Sequence, residues 1–358
     1  MSTRLADLLG DNVAGRTTIK TFHAFGAQLL REFHEAAGLD ADFVILGEDE
    51  QLALLRSAEP ELNEPAARRW LGAISAAKSR LEPIVSPAEP QAGPDPLVVW
   101  DAYHMALNTA HAVDFDDLVV LSLKLLAEHE EVRKTLHARY HWISVDEYQD
   151  VNEAQVRFLR LLSEGGANLC VIGDPDQAIY GFRGADYRYF LRFTEDYPDA
   201  AVHYLNRNYR SSQAILQAAQ QVIARNADRE ALELWSDFVT STKLAIHHAS
   251  TDKAEAEFVV HQIERMVGGT SYFSLDSGRV EDDGRNLAFG DFAVLYRTRG
   301  QARLLQEAFE RSGMPFQTAG ETPLFAQADV RLLLAPLWLM QQPRSTAHWS
   351  LLLNAGEE

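Results

Sequence analysis

Asp146 and Glu147 stand side by side directly after the run Trp142-Ile143-Ser144-Val145. A β-prone run that ends in paired acids puts two carboxylates at the carboxyl edge of a sheet, where ligands of open α/β sheets bind. One carboxylate there suits a hard cation such as Mg²⁺, held largely through its waters, and the other suits polarising an attacking water. A solvated acidic turn is the plainer alternative in a chain with 52 acidic residues. A second run, Leu169 to Ile172, ends in Gly173-Asp174-Pro175-Asp176-Gln177 and continues through Tyr180, Gly181, Phe182, Arg183 and Gly184. Gln177 is placed to sense a terminal phosphate. Tyr180, Phe182 and Arg183 form an aromatic and cationic group on a glycine-flanked loop, of the kind that stacks on exposed bases, with core packing as the alternative. A third segment, Asn206-Arg207-Asn208-Tyr209-Arg210-Ser211-Ser212, sets Tyr209 to stack on a nucleobase and Arg210 to reach a phosphate.

The elements that must carry these residues follow from periodicity. Asp116 to Glu128 reads as a helix leading into the strand Trp142 to Val145, then a helix over Glu153 to Ser163, then the strand Leu169 to Ile172. This alternation predicts a parallel sheet with helical crossovers. Upstream, Thr17 to Ile19 reads as a strand feeding a helix that runs to Phe33, and Glu48 to Leu81 reads as helical throughout. Pro83, Pro87, Pro90, Pro94 and Pro96 make a surface connection, after which helix resumes from Trp100 to Ala112. Downstream, Ala201 to Leu205 is expected as a strand, Ser211 as the cap of a helix reaching about Arg225, Phe292 to Tyr296 as a strand, and Gln301 to Arg311 as a helix stopped by Gly313. Gly268 to Gly290 reads as a long loop or hairpin.

Composition bounds the rest. A length of 358 residues with 46% hydrophobic and 24% charged residues fits two globular domains and excludes wholesale disorder. No run approaches a membrane span and no signal-peptide core is present, so a cytoplasmic setting is expected. The net charge of -19 argues against a generally basic surface for nucleic acid, while leaving room for a local groove. The single cysteine, Cys170, excludes a disulfide framework and reads as a packed thiol within a strand. His137 and His141 have zinc-compatible spacing but no third ligand in view, and no Gly-x-Ser-x-Gly elbow supports a serine hydrolase.

In this order the three segments resemble the UvrD, Rep and PcrA group of superfamily 1 DNA helicases. Asp146 to Asp150 resembles their motif II, Gly173 to Ala185 their motif III, and Asn208-Tyr209-Arg210-Ser211 their motif IV. Thr21-Phe22-His23 resembles motif Ib, Asp114-Phe115-Asp116-Asp117-Leu118 the approach to motif II, and Ala293 to Thr298 with Gln301 and Arg303 the second motor domain. The resemblance implies an α/β fold of RecA-like P-loop NTPase motor domains, each a parallel sheet flanked by helices. It places a partial domain 1A at 1–199, with a helical 1B insertion at about 40–112, and a partial domain 2A at 200–358. It implies ATP and Mg²⁺ as cofactors, with Asp146 on the metal, Glu147 as the base, Gln177 and Arg210 on the γ-phosphate and Tyr209 on adenine. On the DNA side it implies Thr21, His23, Tyr180, Phe182, Arg183, Arg297 and Arg299. Phe182 stands where relatives often carry Trp, and Arg299 where close relatives carry Asn. The implied activity is ATP-driven 3′ to 5′ movement on single-stranded DNA and at duplex junctions, in repair or replication and alongside repair proteins.

One part of such a motor is missing from the sequence. No Gly-x-x-x-x-Gly-Lys-Ser/Thr loop occurs, and none of the six lysines follows a glycine. The expectation is therefore an internal fragment without motifs I, Ia, V and VI, its first domain incomplete, with apolar surface exposed beside the central strands. Two further readings stand beside it: a non-catalytic module that binds single-stranded DNA or a repair partner, and one half of a split helicase or helicase-nuclease subunit.

Overall fold

The computed structural model describes residues 2–10, 15–87, 94–226, 233–238, 244–267, 287–319, 324, 327–341, 343, 348–349 and 352–353. Residues 1–202 together with 328–358 form one compact unit, and 203–327 form a second.

The first unit is organised around helices whose starts are written into the sequence. Thr21 caps α2 (Phe22–Glu32; α1 is Ser2–Leu9), its hydroxyl accepting from the Ala24 N–H at 3.2 Å. A four-residue helix α3 (His34–Ala37) ends on Gly38 in the left-handed region. A parallel two-stranded ladder follows, β1 (Val44–Ile45) against β2 (Ala112–Val113), and the described residues between its strands form three helices. These are α4 (Glu48–Ala58), α5 (Glu64–Arg80) and α6 (Pro96–Thr109), which share a core of Leu52, Leu55, Trp70, Ile74, Val99 and Tyr103.

Beyond β2, α7 (Phe115–Glu128) opens with a reciprocal cap in which Asp114 and Asp117 exchange backbone hydrogen bonds. Then come α8 (Glu130–Arg139), β3 (Trp142–Val145), α9 (Glu153–Ser163) and β4 (Asn168–Val171). β3 and β4 pair in parallel with Ser144 opposite Cys170 and Val145 opposite Val171. Leu29, Leu30, Leu118, Leu125, Leu136 and Phe158 fill the space between α2, α7, α8 and α9. Where α2 meets α7, Gly26 lies against the Leu118 carbonyl, and the fully buried Ser122 donates to that carbonyl at 2.7 Å.

A buried charge cluster joins α5 to α7. Lys78 Nζ lies 2.7 Å from both Asp114 Oδ2 and Asp117 Oδ1, and the Tyr103 hydroxyl donates to Asp114 at 3.2 Å. Asp116 sits beside it with its pKa pushed up to about 6. Burial is the main cause, a Ser75 hydrogen bond opposes it, and the Asp114 carboxylate adds to it. Because the unfolded chain releases this proton first, the stability tied to Asp116 is greatest below pH 4 and is lost as pH rises to about 6. Asp116→Asn is expected to remove that decline and to stabilise the protein at pH 7 by roughly 1–3 kcal/mol. Urea midpoints between pH 4 and pH 8 check this.

The second unit contains α12 (Gln213–Ile223), α13 (Asp252–Val267) and α14 (Arg299–Ser312), the short helices α10 (Arg188–Leu191) and α11 (Phe193–Asp196) belonging to the first. Ala256, Val260 and Ile263 of α13 pack on Ala308 and Phe309 of α14, with Met314 just beyond Gly313, whose left-handed backbone ends α14.

Several expectations are corrected. Glu48 to Leu81 is two helices, not one, because Pro60 interrupts the run and Asn63 restarts it, its side chain accepting from the Ala66 N–H. Helix after the proline-rich connection starts at Pro96 rather than Trp100, since proline fits the first helical turn, and it ends at Thr109. Thr17 to Ile19, Ala201 to Leu205 and Phe292 to Tyr296 are not strands: the ladders among the described residues are β1 with β2 and β3 with β4. The cap before α12 is Ser212, and the helix stops at Ile223. Cys170 is exposed, not packed, because the face of β3 and β4 that carries Trp142, Ser144 and Cys170 is uncovered, with Trp142 79% exposed. The Gly268 to Gly290 loop lies outside the described residues up to 286. No helix among the described residues is long and apolar enough to cross a membrane.

Candidate nucleotide and nucleic-acid site

The carboxyl ends of β3 and β4 bring Asp146, Glu147, Asp174 and Gln177 into one hydrogen-bonded array. The Ile172 N–H donates to the Val145 carbonyl and the Tyr148 N–H to the Ile172 carbonyl, at 2.8 and 2.9 Å, so the two strand ends are laced together. Asp146 is exposed and accepts the Glu147 N–H on Oδ1 at 3.1 Å, and its other oxygen stays outside any hydrogen bond among the described residues. Glu147 itself is left-handed, with φ 52° and ψ 44°. A non-glycine residue held there stores about 1–2 kcal/mol of strain, and such strain clusters at functional positions.

Gln149 is the residue the sequence reading passed over. It is 1% exposed, donates from Nε2 to Glu147 Oε2 at 2.7 Å, and accepts the Asp174 N–H on Oε1 at 3.1 Å. Asp174 in turn accepts Gln177 Nε2 at 2.8 Å and the Asp176 N–H at 3.0 Å. The signal was a polar residue two positions past an acid in a tight turn, and nothing in its type distinguished it from a solvated glutamine. Asp150 ties the same turn to the next loop by accepting the Ile179 N–H. Burial and then the Glu147 charge raise its pKa, and its Oδ1 is buried without a partner among the described residues.

The loop after Gln177 presents its aromatics outward. Phe182 is 77% exposed, its ring 6.2 Å from that of Tyr180, and the Arg183 guanidinium lies 5.6 Å from both rings. The core-packing alternative for these aromatics is thereby excluded. Gly184, at φ 85°, closes the turn with Ser79 of α5 so near that a Cβ would stand 3.1 Å from the serine's. Elsewhere in this unit, Thr21 is taken up in capping α2, and His23 packs edge-on against Phe115. Burial lowers the His23 pKa, so near neutral pH its ring is an uncharged hydrogen-bonding group.

The second unit holds Tyr209 and Arg210, both exposed, on a turn fastened by Asn208, whose side chain accepts the Arg210 and Ser211 N–H groups at 2.9 and 2.7 Å. Arg207 lies between two rings, 4.9 Å from Tyr209 and 5.2 Å from Trp235, and is ion-paired to Asp237. Neither Trp235 nor Asp237 was foreseen, since 26 or more positions separate them from Tyr209. The exposed Arg297 precedes the capping residue Thr298, and the Arg299 side chain lies outside the described residues.

A family model described as the UvrD/REP helicase N-terminal domain matches residues 1–198, and one described as the UvrD-like helicase C-terminal domain matches residues 203–357. The chain belongs to the UvrD/REP helicase family. Its fold class is accordingly RecA-like α/β, with β3, α9 and β4 as a parallel crossover unit within the matched N-terminal domain. Among relatives, the ATP-dependent DNA helicase PcrA of Leuconostoc citreum is 33% identical over 361 residues, covering 99% of this chain and 46% of that protein. PcrA of Staphylococcus aureus strain Mu50 is 33% identical over 349 residues, covering 94% of this chain and 45% of that protein. PcrA of Staphylococcus epidermidis is 32% identical over the same length. The chain spans about half the length of the curated relatives it matches.

Among the described residues no group of three or more histidine, cysteine or acidic side chains could cage a metal by itself. Mg²⁺ keeps several waters and takes one or two carboxylates together with substrate phosphates. The exposed Asp146 carboxylate fits this role.

Proposed function

We propose that this chain carries the motif II to motif IV part of an ATP-dependent DNA helicase that moves 3′ to 5′ along single-stranded DNA. The observation that carries the reading is the Glu147–Gln149–Asp174–Gln177 array at the carboxyl ends of two parallel strands. Asp146 would hold Mg²⁺, which when bound offsets charge on the nucleotide phosphates. Glu147 accepts a proton from the attacking water, Gln177 contacts the γ-phosphate, Arg210 supplies a guanidinium to it, and Tyr209 offers an exposed face for adenine. Single-stranded bases stack on Phe182 and Tyr180 with Arg183 beside them. Thr21, His23, Arg297 and Arg299 contact the DNA backbone. The three-helix block between β1 and β2 corresponds to the 1B insertion at about 40–112, with 1–199 a partial domain 1A and 200–358 a partial domain 2A, although 328–358 group with the first compact unit.

The β- and γ-phosphates of ATP also call for a Gly-Lys-Ser/Thr loop, and we infer that it is supplied from outside these 358 residues. ATP turnover by the chain, with and without single-stranded DNA, tests this together with Glu147→Gln. No turnover is expected from the chain alone. With a candidate loop-bearing polypeptide added, DNA-stimulated turnover is expected, at least tenfold lower for Glu147→Gln. Turnover by the chain alone that disappears in the variant overturns the need for the loop and keeps Glu147 as the base. DNA binding with no turnover under either condition favours a non-catalytic module.

A further inference from the structure

Gln149 has both ends of a buried amide committed to two different site turns. Its Nε2 faces the Glu147 carboxylate and its Oε1 faces the Asp174 N–H, at 2.7 and 3.1 Å. The orientation is fixed by chemistry, because a flipped amide would set a carbonyl against a carboxylate and an NH₂ against an N–H. With 1% exposure there is no water to replace either bond. Gly173 permits the approach, since a Cβ there would come 2.7 Å from Oε1 and 3.2 Å from the Tyr148 nitrogen. Asp174 then passes the contact on, its own carboxylate holding Gln177.

The geometry points to Gln149 as a positioning residue that couples the Gln177 turn to the Glu147 carboxylate, so that displacement of one is felt by the other. This rests on the roles proposed above for Glu147 and Gln177, and it adds the link between them. A residue there only to fill space would need no polar atoms, whereas this one uses both in a water-free position.

The test reads the coupling without nucleotide, by NMR of the deuterated 358-residue chain. Amide exchange at Asp174 and the resonance of the Glu147 N–H are followed in the unmodified protein, in Gln149→Ala and in Gln149→Glu. Gln149→Ala removes both bonds, and Asp174 exchange is expected to accelerate at least tenfold. Gln149→Glu keeps an acceptor for Asp174 but sets a second carboxylate against Glu147. Asp174 exchange should then stay within twofold while the Glu147 resonance moves. If Gln149→Ala does not fold, the one-sided response of Gln149→Glu decides. Unchanged Asp174 exchange in a folded Gln149→Ala, or equal disturbance of both ends in Gln149→Glu, overturns the coupling. Failure of the ATP-hydrolysis reading looks different: the exchange pattern holds, and turnover is absent even with a loop-bearing polypeptide supplied.

Discussion

Lys78→Met is expected to destabilise the fold by about 3–5 kcal/mol, the usual penalty for removing one member of a buried ionic group. The ammonium is the counter-charge to Asp114 and Asp117, with side chains 2%, 4% and 9% exposed. Burial works against its charge, but Asp117 and Asp114 outweigh that and hold its pKa above the ordinary lysine value. Its contribution is therefore whole at neutral pH and fades only as pH rises beyond about 10.5. Methionine matches the stem of lysine, so lost packing is small and the loss is electrostatic. Adding Asp114→Asn and Asp117→Asn to Lys78→Met should recover most of the stability, because the uncompensated carboxylates go with it. Urea denaturation of the single and triple variants at pH 7 checks both halves, and a single variant within 1 kcal/mol of the unmodified protein would sink the electrostatic account.

Gly26→Ala is expected to cost about 3 kcal/mol or more, at or above the top of the usual range for overpacking. The added Cβ would collide with the Leu118 carbonyl oxygen and stand 2.9 Å from its carbon, both backbone atoms of α7 that cannot swing away. Relief requires α2 and α7 to part, loosening Leu29, Leu30 and Leu118 together. Gly72→Ala supplies the contrast. It lies inside α5 with nothing within 4 Å of the new methyl, so helix propensity alone acts and should add about 0.5–1 kcal/mol. Thermal melts of the two variants should move in opposite directions.

The β3–α9–β4 unit could be read from the sequence because each strand is apolar, short and ended by acids, and because Asn152 and Gln155 announce the helix between them. Asp146, Glu147 and Gln177 were legible for the same reason: strand ends fix where side chains gather. Gln149 was not, because its role depends on a loop 25 residues away that only folding brings near. The Arg207, Tyr209 and Trp235 stack is hidden in the same manner. The segments at Thr17 to Ile19, Ala201 to Leu205 and Phe292 to Tyr296 have the residues of strands, yet a strand is defined by its neighbour, and local pattern does not report one.

The ladder of β1 with β2 has a topological consequence. Parallel strands cannot be joined by a tight hairpin, since the chain must travel back before it can run in the same direction again. The three-helix block between Val44 and Ala112 is therefore the return path itself, not an ornament hung on a loop. Its outer turns are free to lengthen, shorten or take on new surfaces. Its two roots are not, for they are stitched side by side, and the block is tied to the rest of the first unit there and again where Lys78 meets Asp114 and Asp117.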